Sequence, residues 1–188
     1  MNYQTFPLPS SGHPDVTLRW LQPDDAHAWY DYLCLPQVVG QTSWTLSSVD
    51  DLAPVFDALA PRAAVPQLRL AIVDARHRLV GTLGFHSINA PHGSAEIAYE
   101  LSPAVWHRGI ATAVCGQVVP WAFACFGWQR IQAAVLDSNH ASARVLHRCA
   151  FQHEGRLRSF RRVGGVPRHF DLYARLAGDP TTVHCARA

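Results

Sequence analysis

Apolar side chains along this chain repeat with two different periods, and the switches between them divide the sequence into strands and helices. Val16 to Leu21 alternates apolar with polar, the period of a half-buried strand. Pro23-Asp24-Asp25 then opens a segment in which Ala26, Trp29, Tyr30 and Leu33 recur at helical spacing, and Pro36 is expected to end it. Ser47-Ser48-Val49-Asp50-Asp51 has the composition of a helix cap and predicts a second helix to about Ala60, closed by Pro61. Leu68 to Val73 and Leu79 to Ile88, separated by a turn around Ala75 to Arg78, read as a hairpin. Beyond a turn over 89–94, the pattern predicts a strand at Ala95–Leu101, a long helix over 109–126, a strand at Ile131–Leu136 and a shorter helix over 141–150. Phe151 to Phe160 and Phe170 to Leu176 complete a last hairpin around Gly164-Gly165 and Pro167. Strands before, between and after helices give an α/β fold with a mixed sheet. Pro120 falls inside the long helix and crowds the carbonyl of Gly116, so a kink is expected there, while Ile110, Val114, Val118 and Trp121 keep one apolar stripe.

The 188 residues are 48% hydrophobic, enough for one domain with a sizeable core, so no second domain is needed. The expected limits of that domain are 16–176, with 1–15 as an N-terminal extension and 177–188 as a flexible tail. No apolar run reaches the roughly 18 residues that span a bilayer, and the Pro- and Ser-rich start lacks the basic and apolar regions of a signal peptide. A cytoplasmic protein without membrane contact is expected. Cys34, Cys115, Cys125, Cys149 and Cys185 stand at unrelated spacings, and the histidines form no His-Glu-x-x-His arrangement. Neither a disulfide framework nor a metal site is therefore expected. A net charge of +2 is too small to make nucleic acid the main partner. All sixteen basic residues are arginine, which excludes a Walker A loop and Schiff-base lysine chemistry.

Candidate chemistry is concentrated between Ala95 and Gly155. There a strand ends, the chain turns through Trp106-His107-Arg108-Gly109-Ile110-Ala111-Thr112, and a helix begins with its free N–H groups facing forward. That is a cradle for an anion. The small residues Gly109 and Ala111 let an anion approach the backbone of Arg108 to Thr112, and the guanidinium of Arg108 adds attraction. Asn139-His140-Ala141-Ser142 follows at the start of the next helix.

In order and spacing these motifs resemble the GNAT acetyltransferase superfamily, most densely from Ala95 to Gly155 and more weakly from Val16 to Leu176. Trp106 in the turn and Asn139-x-x-Ser142 look most like its RimJ/RimL-type branch. The resemblance implies a single-domain GNAT (acyl-CoA N-acyltransferase) fold, with a mostly antiparallel sheet splayed by a bulge in the central strand. It also implies an N-acetyltransferase that uses acetyl-CoA as co-substrate and takes a primary amine by direct attack. The residues it places on the cofactor are Ala98, Tyr99, Glu100 and Leu101 of the strand, with their backbone N–H groups polarising the carbonyl. Trp106, His107, Arg108, Gly109, Ile110, Ala111 and Thr112 of the turn join them, as do Asn139, Ser142, Arg144 and Arg148 of the later helix.

Acetyl transfer to an amine needs a proton acceptor for the ammonium and a proton for the leaving thiolate. Glu96 is the candidate base, and its other reading is a structural carboxylate facing a helix. Many relatives carry a tyrosine acid seven residues after the motif asparagine, but that position here is Leu146. Ser142 is then the candidate donor to the thiolate, its other reading being a helix-capping serine. Trp29, Trp44, Arg161 and Arg168 are the candidate lining of the acceptor groove, next to Arg156, Arg158 and Arg162 on the last hairpin. Such a groove suits a carboxylate or phosphate near the amine; the same arginines also fit a merely soluble hairpin. Two other classes remain compatible: a non-catalytic acetyl-CoA sensor, and an RNA- or ribosome-associated binding module using the Arg-rich hairpin. A protein N-terminus, an amino acid, a polyamine and an antibiotic all fit as acceptors, and a homodimer is possible.

Overall fold

Strands with alternating or wholly apolar patterns need a sheet to satisfy their backbone groups, and they form one here. The structure, a computed structural model, describes residues 3–60 and 67–180. Its strands are β1 (Val16–Trp20), β2 (Leu68–Asp74), β3 (Leu79–Asn89), β4 (Ser94–Leu101), β5 (Arg130–Leu136), β6 (Gln152–Val163) and β7 (Val166–Leu176). They make a seven-stranded sheet in the order β1-β2-β3-β4-β5-β7-β6. Every neighbouring pair is antiparallel except β4 and β5.

Alternation gives the sheet two apolar faces. On one, Leu70, Leu83, Ile97 and Ile131 pack with Val114 and Val118 of α4 (Ile110–Phe126) and Leu146 of α5 (His140–Arg148). On the other, Ala71 and Val73 pack with Trp29 and Leu33 of α1 (Ala26–Leu33), Val38 of α2 (Pro36–Val39) and Phe56 of α3 (Ala53–Ala58). The α4 helix runs unbroken through Pro120. No helix among the described residues is long and apolar enough to cross a membrane.

Parallel pairing of β4 with β5 covers only Ser94, Ala95 and Glu96, opposite Arg130, Ile131 and Gln132. Beyond Glu96 the two strands part, so the sheet is splayed at its central strand. The expected bulge in this strand is absent from its pairing with β3, which runs without a break from Gly81↔Leu101 to His86↔Glu96. The irregularity lies in β3 instead, between His86 and Asn89, where Ser87 takes a φ of 50°. Alternation in β4 is therefore intact, and Glu96, Ala98 and Glu100 share the α1 face while Tyr99 faces α4 and α5.

Three elements differ from the sequence expectation. Pro36 starts a helix rather than only ending one, since a proline at the first helical position loses no hydrogen bond. The second helix begins as a 3-10 turn at Val49–Leu52 and its α-helical part ends at Ala58; Pro61 lies outside the described residues. The last hairpin is longer, because Gly164 and Gly165 with φ of 57° and 79° make a two-residue turn matched to strand twist. The N-terminal segment packs on α4, where Trp121 Nε1 donates to the Pro7 carbonyl and Tyr3 stacks edge-on against Phe126. Of the expected tail, Ala177 bonds the Gln129 carbonyl, while 181–188, Cys185 included, lie outside the described residues.

Candidate active site

The parting of β4 and β5 opens a cavity of about 890 Å³ that passes between the two faces of the sheet. Residues 98–101 of β4, 106–112 of the turn, and Asn139, Ser142, Arg144 and Arg148 of α5 all line it, together with Glu96, Trp44 and Arg161. Beyond Glu96, β4 and β5 no longer satisfy each other's backbone, which leaves the edge of β4 open to an extended ligand.

The turn is held from both sides. Trp106 Nε1 donates to the Leu101 carbonyl at 2.8 Å, tying the end of β4 to the turn. His107 and Gly109 have φ of 62° and 80°, a pair of left-handed residues that turns successive N–H groups toward one side. The first backbone bond of α4 is Ala113 N–H to the Gly109 carbonyl, so the four amides before it have no intrahelical acceptor. A Cβ at Gly109 would meet nothing within 4 Å, so the approach to this cradle is open. Arg108 departs from expectation: its guanidinium pairs with Asp15 and its carbonyl bonds His13 Nε2 at 3.0 Å, so its charge is shared with the N-terminal segment. Arg144 and Arg148, one turn apart on α5, have no ion-pair partner among the described residues and stand at the same mouth.

Asn139 caps α5, its Oδ1 accepting the Ser142 N–H at 3.0 Å. The side chain of Ser142 is thereby free of capping, and its Oγ lies 2.8 Å from the Tyr99 hydroxyl, which is also 3.2 Å from the Ser142 carbonyl. Burial pushes the Tyr99 phenol well above its ordinary value, so at neutral pH it is a proton donor. When Tyr99 donates to Ser142 Oγ, the serine proton is free to point into the cavity. The sequence points to Tyr99 for its backbone on the cofactor and as an alternative to Glu96 for taking the proton, not as the partner of Ser142.

On the opposite face, Glu96 is 7% exposed and lines the cavity. Its Oε1 accepts Arg161 Nη2 at 2.8 Å and lies 3.7 Å from His86 Nε2. Burial, outweighing the attraction of Glu96, lowers the His86 pKa, so that imidazole is neutral at physiological pH. Glu100 shares this face but is fully engaged: Arg69 Nη1 at 2.9 Å, Trp29 Nε1 at 2.9 Å and the Thr82 hydroxyl all donate to Oε1. With side chains only 6% and 8% exposed, loss of either Arg69 or Glu100 would strand a buried charge at a cost of about 3–5 kcal/mol.

Two expected groove residues are elsewhere. Trp29 is fully buried, under Arg69 and edge-on to Trp44 and Phe56; its part is to hold Glu100, because an indole of that size fills the core beneath the sheet. Arg168 lies across the hairpin from Arg161, outside the cavity and 3.8 Å from Asp137. Among the described residues, no three His, Cys, Asp or Glu side chains gather to hold a metal ion.

A family model described as an acetyltransferase (GNAT) domain matches residues 15–152. The uncharacterised N-acetyltransferase YoaA of Bacillus subtilis (strain 168) is 41% identical over 164 residues, which is 85% of this chain and 92% of the relative. Among solved structures, the spermidine N-acetyltransferase of Vibrio cholerae in complex with CoA and spermine superposes with a TM-score of 0.78 at 20% identity, over 88% of this chain and 97% of that one. The ribosomal-protein-S5-alanine acetyltransferase of Vibrio fischeri does so with 0.77 at 19%, over 89% and 96%.

Proposed function

The chain belongs to the GNAT acetyltransferase family, and from that premise we propose that it transfers the acetyl group of acetyl-CoA to a primary amine by direct attack. It is an acetyltransferase. One observation carries it: the opening between β4 and β5 joins two faces of the sheet, with Ser142 on one and Glu96 on the other. Acetyl-CoA on the α4–α5 face supplies an activated thioester carbonyl at that opening. The amine comes from the face of α1 and the last hairpin.

The residues of this chain then have separate tasks. The turn of 106–112 cradles the diphosphate, and Arg144 and Arg148 meet the anionic nucleotide end. Backbone N–H groups of β4 beyond Glu96 stabilise the carbonyl oxygen as it gains charge. Glu96, directly or through water, takes a proton from the ammonium, so that a neutral nitrogen forms the C–N bond while the C–S bond breaks. Ser142 donates to the departing sulfur and is backed by Tyr99. The second nitrogen proton leaves to solvent, which returns a proton to the Ser142–Tyr99 pair once the sulfur has been protonated. Trp106 and Asn139-x-x-Ser142 favour a RimJ/RimL-like relationship within the family. The hairpin arginines argue against an RNA-binding module, since Arg156 is paired with Asp171 and Arg161 with Glu96.

The test is amine-dependent thiol release from acetyl-CoA across a panel of amines. Release that rises with amine and yields the N-acetyl product is expected; acetyl-CoA binding without turnover of any amine would leave a sensor. With the best acceptor, Glu96→Gln should keep the bond to Arg161 and acetyl-CoA affinity, yet lower turnover on the order of 10²-fold, with part of the rate returning at alkaline pH. A parental pH–rate profile would make Glu96 structural.

A further inference from the structure

Glu96 and Arg161 form a pair of opposite charges, each with unused hydrogen-bonding capacity, on the acceptor side of the cavity. Glu96 Oε1 accepts from Arg161 and lies 3.7 Å from His86 Nε2, while Oε2 has no partner among the described residues. Arg161 uses Nη2 for this bond, and the rings of Phe160 and Phe170, 4.8 and 5.7 Å from its guanidinium carbon, flank it. Its side chain is 31% exposed, and a guanidinium carries five N–H donors, so several remain for a ligand. The local charge sums to zero, because His86 is neutral and Glu100 is already neutralised by Arg69.

That balance discriminates between acceptors. A polyamine brings several ammonium groups and calls for several carboxylates with an oxygen to spare, whereas among the described residues lining the cavity only Glu96 has one. A peptide N-terminus brings an ammonium but no anion beside it, and would leave the remaining donors of Arg161 without a charged partner. An α-amino acid carries ammonium and carboxylate on one carbon, about as close together as Glu96 and Arg161 are to each other. We propose that the acceptor is a small amine with its own carboxylate beside the amine, the ammonium on Glu96 Oε2 and the carboxylate on the free donors of Arg161. This inference rests on the amine-acetylation reading and specifies its substrate class.

The experiment compares matched pairs, α-amino acids against their amides, with spermidine and a short neutral peptide alongside. Thiol release gives kcat/KM for each, and calorimetry follows acetyl-CoA binding. The amide is the less basic amine, so a preference for the acid cannot come from a greater supply of free base. Amino acids should exceed their amides at least about tenfold, the usual scale of a charge-assisted pair. Arg161→Gln should bring that ratio close to one, chiefly through KM, and Arg161→Lys should keep part of it. An amide, the peptide or spermidine used as well as or better than the amino acids overturns the proposal, as does an unchanged ratio in Arg161→Gln. If acetyl-CoA binds and only carboxylate-free amines are turned over, this proposal alone fails. If acetyl-CoA does not bind, or no amine is turned over, the acetyl-transfer reading fails with it.

Discussion

Gly109→Glu should weaken acetyl-CoA binding by about 100-fold or more while leaving the domain folded. Gly109 is the N-cap of α4 with a φ of 80°, and nothing stands within 4 Å of where its Cβ would be. A glutamate therefore has room, but its carboxylate reaches into the space where a diphosphate must meet the first amides of α4. Left-handed backbone at a residue with a Cβ costs about 1–2 kcal/mol, so some stability is lost through strain alone. An acidic residue at a helix N-terminus is itself favourable to the helix, so the affinity loss does not report on helix formation. Gly109→Ala separates the two effects, since it has the same strain without the charge. It should lose comparable stability yet bind acetyl-CoA within about tenfold of the parent. Calorimetric titration of both variants, with thermal unfolding as control, is the measurement. Parental affinity in a folded Gly109→Glu variant would remove the cradle from the account.

Ser142→Ala should lower kcat on the order of 10²-fold with acetyl-CoA affinity little changed, the mark of an interaction made mainly as the transition state is reached. The substitution is structurally mild. Asn139 caps the backbone N–H at position 142, which alanine keeps, and Tyr99 can still donate to the carbonyl there. Only the hydroxyl 2.8 Å from Tyr99 is lost. Tyr99→Phe should have a smaller effect of about tenfold, because it removes the support of Ser142 and leaves the serine proton itself. Rapid-quench measurement of the chemical step, beside equilibrium binding, checks both. A full chemical rate in Ser142→Ala would assign the thiolate proton to another source.

Much of this was legible in the sequence, because the cofactor side is built from contiguous signals. The strand, the glycine turn and the helix start follow one another between Ala95 and Thr112, and local hydrogen bonds fix their geometry. The acceptor side depends on long-range pairing and was read less well. Counting back from the pair Asn89↔Ser94 would set Ser87 opposite Glu96; the irregularity at Ser87 puts His86 there instead. An aromatic on the first helix, as Trp29 is, suits a pocket and a core equally, and only tertiary packing separates them. Arg161 and Arg168 look alike in a basic run, yet only Arg161 reaches Glu96. Nothing local marks Asp15 as the partner of Arg108, since the two meet through the packing of the N-terminal segment.

Initial velocities with acetyl-CoA and the best amine varied together distinguish direct attack from a covalent relay. Direct attack at the opening between β4 and β5 requires both substrates to be bound at once, so reciprocal plots should intersect and no acetylated enzyme should be detected by mass spectrometry. Parallel plots with an acetylated side chain trapped in the absence of amine would contradict it, and would replace direct attack with a covalent relay.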